Sequence, residues 1–127
     1  MACKYCGGDI GTGKGSICRT CKELRTKYGM ITPDRDGLLE EQDWSCALCG
    51  CFIQTEERRK ADTAMVDHCH SREEETGKLF IRGILCLNCN RDIAACEKLI
   101  KKSGIDKLIA YISGGQEYGG YTAHRKA

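Results

Sequence analysis

Residues 66–90 read VDHCHSREEETGKLFIRGILCLNCN. The stretch holds Cys69, Cys86, Cys89, His68, His70, Asp67 and a closing Asn90, all side chains that can ligate a metal. Its end, Cys86-x-x-Cys89, repeats a spacing found at Cys3-x-x-Cys6, Cys18-x-x-Cys21 and Cys46-x-x-Cys49. A tetrahedral Zn²⁺ takes two thiolates from each of two such pairs. Pairing neighbours gives one set of Cys3, Cys6, Cys18 and Cys21, and a second of Cys46, Cys49, Cys86 and Cys89. Exchange of pairs between the sets is the rival arrangement.

The composition asks for such metals. The chain has 127 residues and only 6% aromatics, so its core is thin. Ordering each residue costs roughly 1–2 kcal/mol of backbone entropy, which a small core offsets poorly. A structural zinc contributes roughly 10–16 kcal/mol of apparent folding energy in small peptides. The 11 cysteines are odd in number and mostly paired as C-x-x-C. The start, MACKYCGGDI, lacks the apolar stretch of a signal peptide, and no run is apolar enough for a membrane span. These features favour two structural zinc ions in a reducing cytoplasm over a secreted disulfide framework.

Three cysteines remain. Cys51 lies just beyond a pair and competes with Cys49. Cys69 reads as a spectator between the histidines, and Cys96 as a small core residue on a helix face. With the second set complete, Asp67, His68, His70 and Asn90 are left over. A carboxylate and an amide oxygen suit a harder cation, Mg²⁺ or Mn²⁺. His68 offers an imidazole, the side chain type suited to general-base work at neutral pH, its other ring nitrogen expected on a backbone carbonyl. Asn90 follows Cys89, so a zinc-bound turn sets its direction. Taken singly, Asp67 and His68 make a hydrogen-bonded pair and Asn90 caps a helix. Taken together beside one zinc scaffold, they form a catalytic constellation, with His70 as a rival base or phosphate-orienting group.

The surrounding pattern supplies the scaffold. KELRTKYG reads as a short helix closed by Gly29. TPDRDGLLEEQDW reads as a second helix with Thr32 as N-cap, Pro33 at N1, Leu38 and Leu39 inward, and Trp44 as a core plug. TAMVDH and KLFIRGIL read as strands around a polar loop, and the chain turns helical from Leu87, with Ile93, Cys96 and Ile100 on one face.

VDHCH…TGKLFIRGILCLNCN, with KYGMITPDRDGLLEEQDWSCALCG upstream, resembles the phage recombination endonuclease VII family, a branch of the HNH (ββα-metal) nucleases. The resemblance covers about residues 20–112. It implies zinc on Cys46, Cys49, Cys86 and Cys89, a divalent cation on Asp67 and Asn90, and His68 as general base. It also implies products with 5′-phosphate and 3′-hydroxyl ends, and a phage-encoded protein acting in its host's cytoplasm. Cys69 departs from the family, which can carry an acidic residue there.

The expected fold is therefore a small α+β zinc-stabilised domain, a ββα-metal core with an N-terminal four-cysteine zinc knuckle. Residues 1–30 form the knuckle and a short helix, 31–112 the nuclease core, and 113–127 a Gly-rich tail holding His124. The expected function is metal-dependent DNA endonuclease, as a monomer or a dimer. A non-catalytic zinc module that binds nucleic acid or protein is the alternative. Residues 1–30 carry six basic side chains against two acidic ones, the chain's strongest electrostatic footprint for DNA. Tyr5 and Tyr28 are that segment's only aromatics, so backbone gripping with little base reading is expected, while Lys78, Arg82 and Arg91 are candidate phosphate contacts.

Overall fold

The computed structural model describes residues 1–10 and 15–114. Residues 11–14 and the tail with His124 lie outside the described residues. The described chain runs α1 (Arg19–Tyr28), α2 (Thr32–Glu41), β1 (Ala64–His68), α3 (His70–Thr76), β2 (Ile81–Cys86), α4 (Leu87–Ser103) and α5 (Ile105–Ile112). It is the small α+β fold expected from sequence, with the N-terminal four-cysteine knuckle in place. It divides into two compact units, Met1–Asn90 and Arg91–Ala127. Among the described residues, no helix is long and apolar enough to cross a membrane.

In the first unit, β1 and β2 form an antiparallel pair, with Val66 opposite Ile84 and Asp67 opposite Gly83. The register slips between Asp67 and His68, so that His68 faces Ile81 and Arg82 is the extra residue of a bulge. Helix α4 starts directly at the end of β2. The core holds Leu24, Met30, Leu39, Ile53, Val66, Ile84 and Leu85, joined by Cys3, Cys21, Cys46 and Cys86. Four of these 11 buried residues are cluster thiols, which is how so few aromatics suffice.

A two-stranded sheet is marginal alone and leaves edges to satisfy. Gln42, at the C-cap of α2, covers one edge. Its amide nitrogen donates to the Ile84 carbonyl at 2.9 Å and to the Ser45 carbonyl at 2.8 Å. Its amide oxygen accepts from the Ile84 N–H at 2.9 Å. Gly83 is needed beside it, because a Cβ there would lie 3.3 Å from the Gln42 oxygen.

Several local expectations are corrected. The 70–77 segment is not a polar loop; residues 70–76 form α3, closed by Gly77 in a left-handed conformation at φ 68°. Cys69, read as a spectator between the histidines, is the N-cap of that helix. The α2 start shifts by one residue. Ile31 is its N-cap, and the Asp34 carboxylate accepts the Ile31 N–H at 2.9 Å. Trp44 is half-buried, its indole N–H donating to Glu40, so it does not plug the core. The helix closed by Gly29 and the inward Leu39 are as expected. In the second unit, Ile93, Cys96 and Ile100 share the half-buried face of α4.

Candidate active site

Both cysteine clusters share one construction, a turn plus a helix start. In the first, Cys3 and Cys6 flank a tight turn in which the Gly7 N–H donates to the Cys3 carbonyl. Cys18 and Cys21 lie at the start of α1, where the Cys18 sulfur caps the helix by accepting the Cys21 N–H. In the second, the Gly50 N–H closes the Cys46 turn, and the Cys86 sulfur accepts the Cys89 N–H at 3.3 Å as α4 begins. Within each set the four ligand atoms lie within 4.8 Å of one another.

A tetrahedron with Zn–S bonds of about 2.3 Å has sulfur–sulfur edges of about 3.8 Å. The Cys6–Cys18 and Cys49–Cys86 separations are 3.6 and 3.9 Å. Both sets can hold zinc, and these lengths exclude disulfides, whose sulfurs lie about 2.05 Å apart. Burial opposes ionisation of Cys46, but the backbone groups of Cys86, Cys49 and Leu48 outweigh it and bring the thiol down to about 6. Cys51 moves the other way. Its hydrogen bond with Cys49, then burial, push it up to about 12, so it stays a thiol beside the cluster.

The bulge at the end of β1 builds the rest. Asp67 is 9% exposed, and its two oxygens accept from Arg82, Oδ2 from Nε at 2.7 Å and Oδ1 from Nη2 at 3.1 Å. Arg82, a candidate phosphate contact by sequence, is paired with this carboxylate. His68 turns its Nδ1 to Glu73, 2.7 Å from Oε1 and 3.1 Å from Oε2. A carboxylate thus takes the place of the backbone carbonyl expected at this nitrogen. The His68 Nε2 faces the His70 Nε2 at 3.4 Å. The Tyr28 ring lies tilted against the His68 ring, with centroids 5.7 Å apart. Burial, and after it the charges of Asp67 and Glu73, push the Tyr28 hydroxyl above its ordinary value.

The structure thus brings His68 and His70 together and keeps Asp67 beside them in sequence. Asn90 stands half-buried in the first turn of α4, one residue past Cys89. Among the described residues its amide makes no hydrogen bond. Sequence reasoning missed Glu73 and the place of Tyr28. Tyr5, the other aromatic of residues 1–30, is flanked by the Lys4 ammonium at 5.0 Å and the Arg25 guanidinium at 4.6 Å from its centroid.

The family model for recombination endonuclease VII matches residues 21–114. The chain belongs to the recombination endonuclease VII family. It is accordingly a nuclease that acts on DNA. No curated protein and no solved structure matches it significantly. The endonuclease VII match takes in the whole second cluster with Asp67, His68, His70 and Asn90, whereas Cys3, Cys6 and Cys18 precede it.

Proposed function

We propose that this endonuclease is a metal-dependent enzyme of the HNH (ββα-metal) type that hydrolyses DNA phosphodiester bonds by nicking or double-strand cleavage. The observation that carries the reading is the His68–Glu73 contact at 2.7 Å, one residue along β1 from Asp67. A carboxylate only accepts hydrogen bonds, so it selects the His68 tautomer with its proton on Nδ1. The Nε2 lone pair is then the base, and it takes a proton from the attacking water. His70, within reach of that nitrogen, orients the water or a phosphate oxygen.

Asp67 and Asn90 present a carboxylate and an amide oxygen, the hard donor set of Mg²⁺ and Mn²⁺. Each Asp67 oxygen keeps a second lone pair after accepting from Arg82, so the guanidinium does not exhaust the ligand. A cation held there supplies positive charge for the phosphate and the departing oxygen. The chain's own part is to fix that carboxylate through Arg82 and to carry Asn90 on the turn that Cys86 and Cys89 anchor. Exposed Lys78 and Arg91 are the remaining candidates for phosphate contacts.

Incubation of zinc-loaded protein with supercoiled plasmid and Mg²⁺ or Mn²⁺ tests the reading. Nicked or linear DNA that disappears with EDTA is expected. Cleavage that survives removal of every divalent cation except the cysteine-bound zinc would contradict metal dependence, and no cleavage in either metal would contradict the catalytic reading.

A further inference from the structure

We propose that Glu73 is the positioning residue of the histidine base. The inference rests on His68 being that base. Glu73 is the fourth residue of α3, and its carboxylate is tied at both oxygens. Oε1 takes the His68 Nδ1 at 2.7 Å, while Oε2 lies 3.1 Å from the same nitrogen and accepts the Phe80 N–H at 3.0 Å.

Its backbone is fixed too. The Glu73 N–H donates to the Cys69 carbonyl at 3.1 Å, and its own carbonyl takes the Gly77 N–H at 2.8 Å. The Cys69 N–H donates to the Phe80 carbonyl at 2.8 Å. One carboxylate therefore locks the end of β1, helix α3 and the approach to β2 around the imidazole ring.

Two consequences follow from donor chemistry. With the Nδ1 proton committed to Glu73, a neutral His68 has its lone pair on Nε2. The His70 Nε2, 3.4 Å away, must then carry the proton of that contact, since two lone pairs do not attract. His70 is exposed, so it can leave the contact when a water or phosphate arrives. The sequence offers Glu73, Glu74 and Glu75 in a row, and only Glu73 meets the ring. The Phe80 N–H first, and then His68, hold its carboxyl below the ordinary value, so it is a carboxylate at neutral pH.

The test combines kinetics with side-chain ¹⁵N NMR of histidine in the full-length, zinc-loaded chain. In the wild type His68 should show the Nδ1–H tautomer. Glu73→Ala should let it revert toward the Nε2–H form and lower kcat about 10- to 100-fold, below the 10²–10⁴-fold that a general base itself contributes. KM for DNA should stay within about twofold, because no phosphate contact is removed. Glu73→Gln keeps an acceptor oxygen, so it should restore the Nδ1–H tautomer and part of the rate; it also covers the case in which Glu73→Ala does not fold.

A His68 that keeps its Nδ1–H tautomer in Glu73→Ala overturns the proposal, as does a Glu73→Ala enzyme with kcat unchanged. The base reading fails separately. If His68→Ala cleaves at the wild-type rate while the tautomer still follows Glu73, His68 is not the base and the Glu73 contact is structural.

Discussion

The two cysteine clusters are built alike and support different things. Each pairs a turn with the first turn of a helix, and in each the helix-side cysteine caps that turn through its sulfur. The first starts α1 and also reaches α2, since the Cys21 sulfur accepts the Thr32 N–H at 3.4 Å. The second joins the end of β2 to α4 and sets Asn90. One cluster therefore organises the support, and the other organises the candidate catalytic strand and turn. They are nevertheless linked. Helix α2 begins beside Cys21 and ends in Gln42, which grips Ile84 of β2, while α1 ends in Tyr28 against His68. Similar metal chemistry can thus have unequal consequences, depending on which joint it closes.

The largest expected effect comes from breaking the second joint. Cys86→Ser removes a core thiol and a ligand of the second set together. We expect loss of cooperative folding by circular dichroism and of all cleavage, given the roughly 10–16 kcal/mol that a structural zinc supplies in small peptides. Cys18→Ser should be milder. Zinc analysis should fall from two ions per chain to one, while the β1–β2 pair still forms. The misplacement of Tyr28 should lower kcat by about 10- to 100-fold. A Cys18→Ser protein with unchanged turnover would show that the first cluster supports nothing beyond its own segment.

Breaking the link tests the comparison in another way. Gln42→Ala removes three hydrogen bonds to Ser45 and Ile84 and should cost about 1–3 kcal/mol in denaturant unfolding, with both zinc ions retained. A wild-type midpoint would mean that the clusters hold their elements independently. The smallest effect is a pH dependence. The folded-state pKa of Glu73 is depressed, so the stability its charge contributes is present at neutral pH and is lost as pH falls through that lowered value. Gln mimics the protonated form. The difference in unfolding midpoint between wild type and Glu73→Gln should therefore shrink once pH falls through the ordinary Glu range, about 4.3, and close only below the lowered folded-state value.

The cysteine sets were readable from sequence because zinc imposes a spacing, and spacing is local information. The strand pair and the start of α4 at Leu87 were legible for a related reason, since β2 leads straight into a cysteine pair that opens a helix. Helix α3 was not, because SREEET has no apolar periodicity. Its seven residues are held by Cys69, by Gly77 and by the Glu73 contacts, two of which are tertiary. Glu73 was hidden among three consecutive glutamates, and a partner five residues from His68 follows no strand or helix period. The Arg82–Asp67 ion pair was not foreseen, because Arg82 falls at a bulge, outside the regular register of the strands. An acidic residue on one strand and a basic one near its register position on the other was the available clue. Trp44 looked like core by size alone, yet its indole N–H takes Glu40 at the rim.

The most direct test compares wild type with His68→Ala at matched content of two zinc ions per chain, on supercoiled plasmid in Mg²⁺ and in Mn²⁺. The expected result is a fall of about 10²–10⁴-fold in single-turnover rate with circular dichroism and zinc content unchanged. Cleavage by His68→Ala at the wild-type rate would contradict the account.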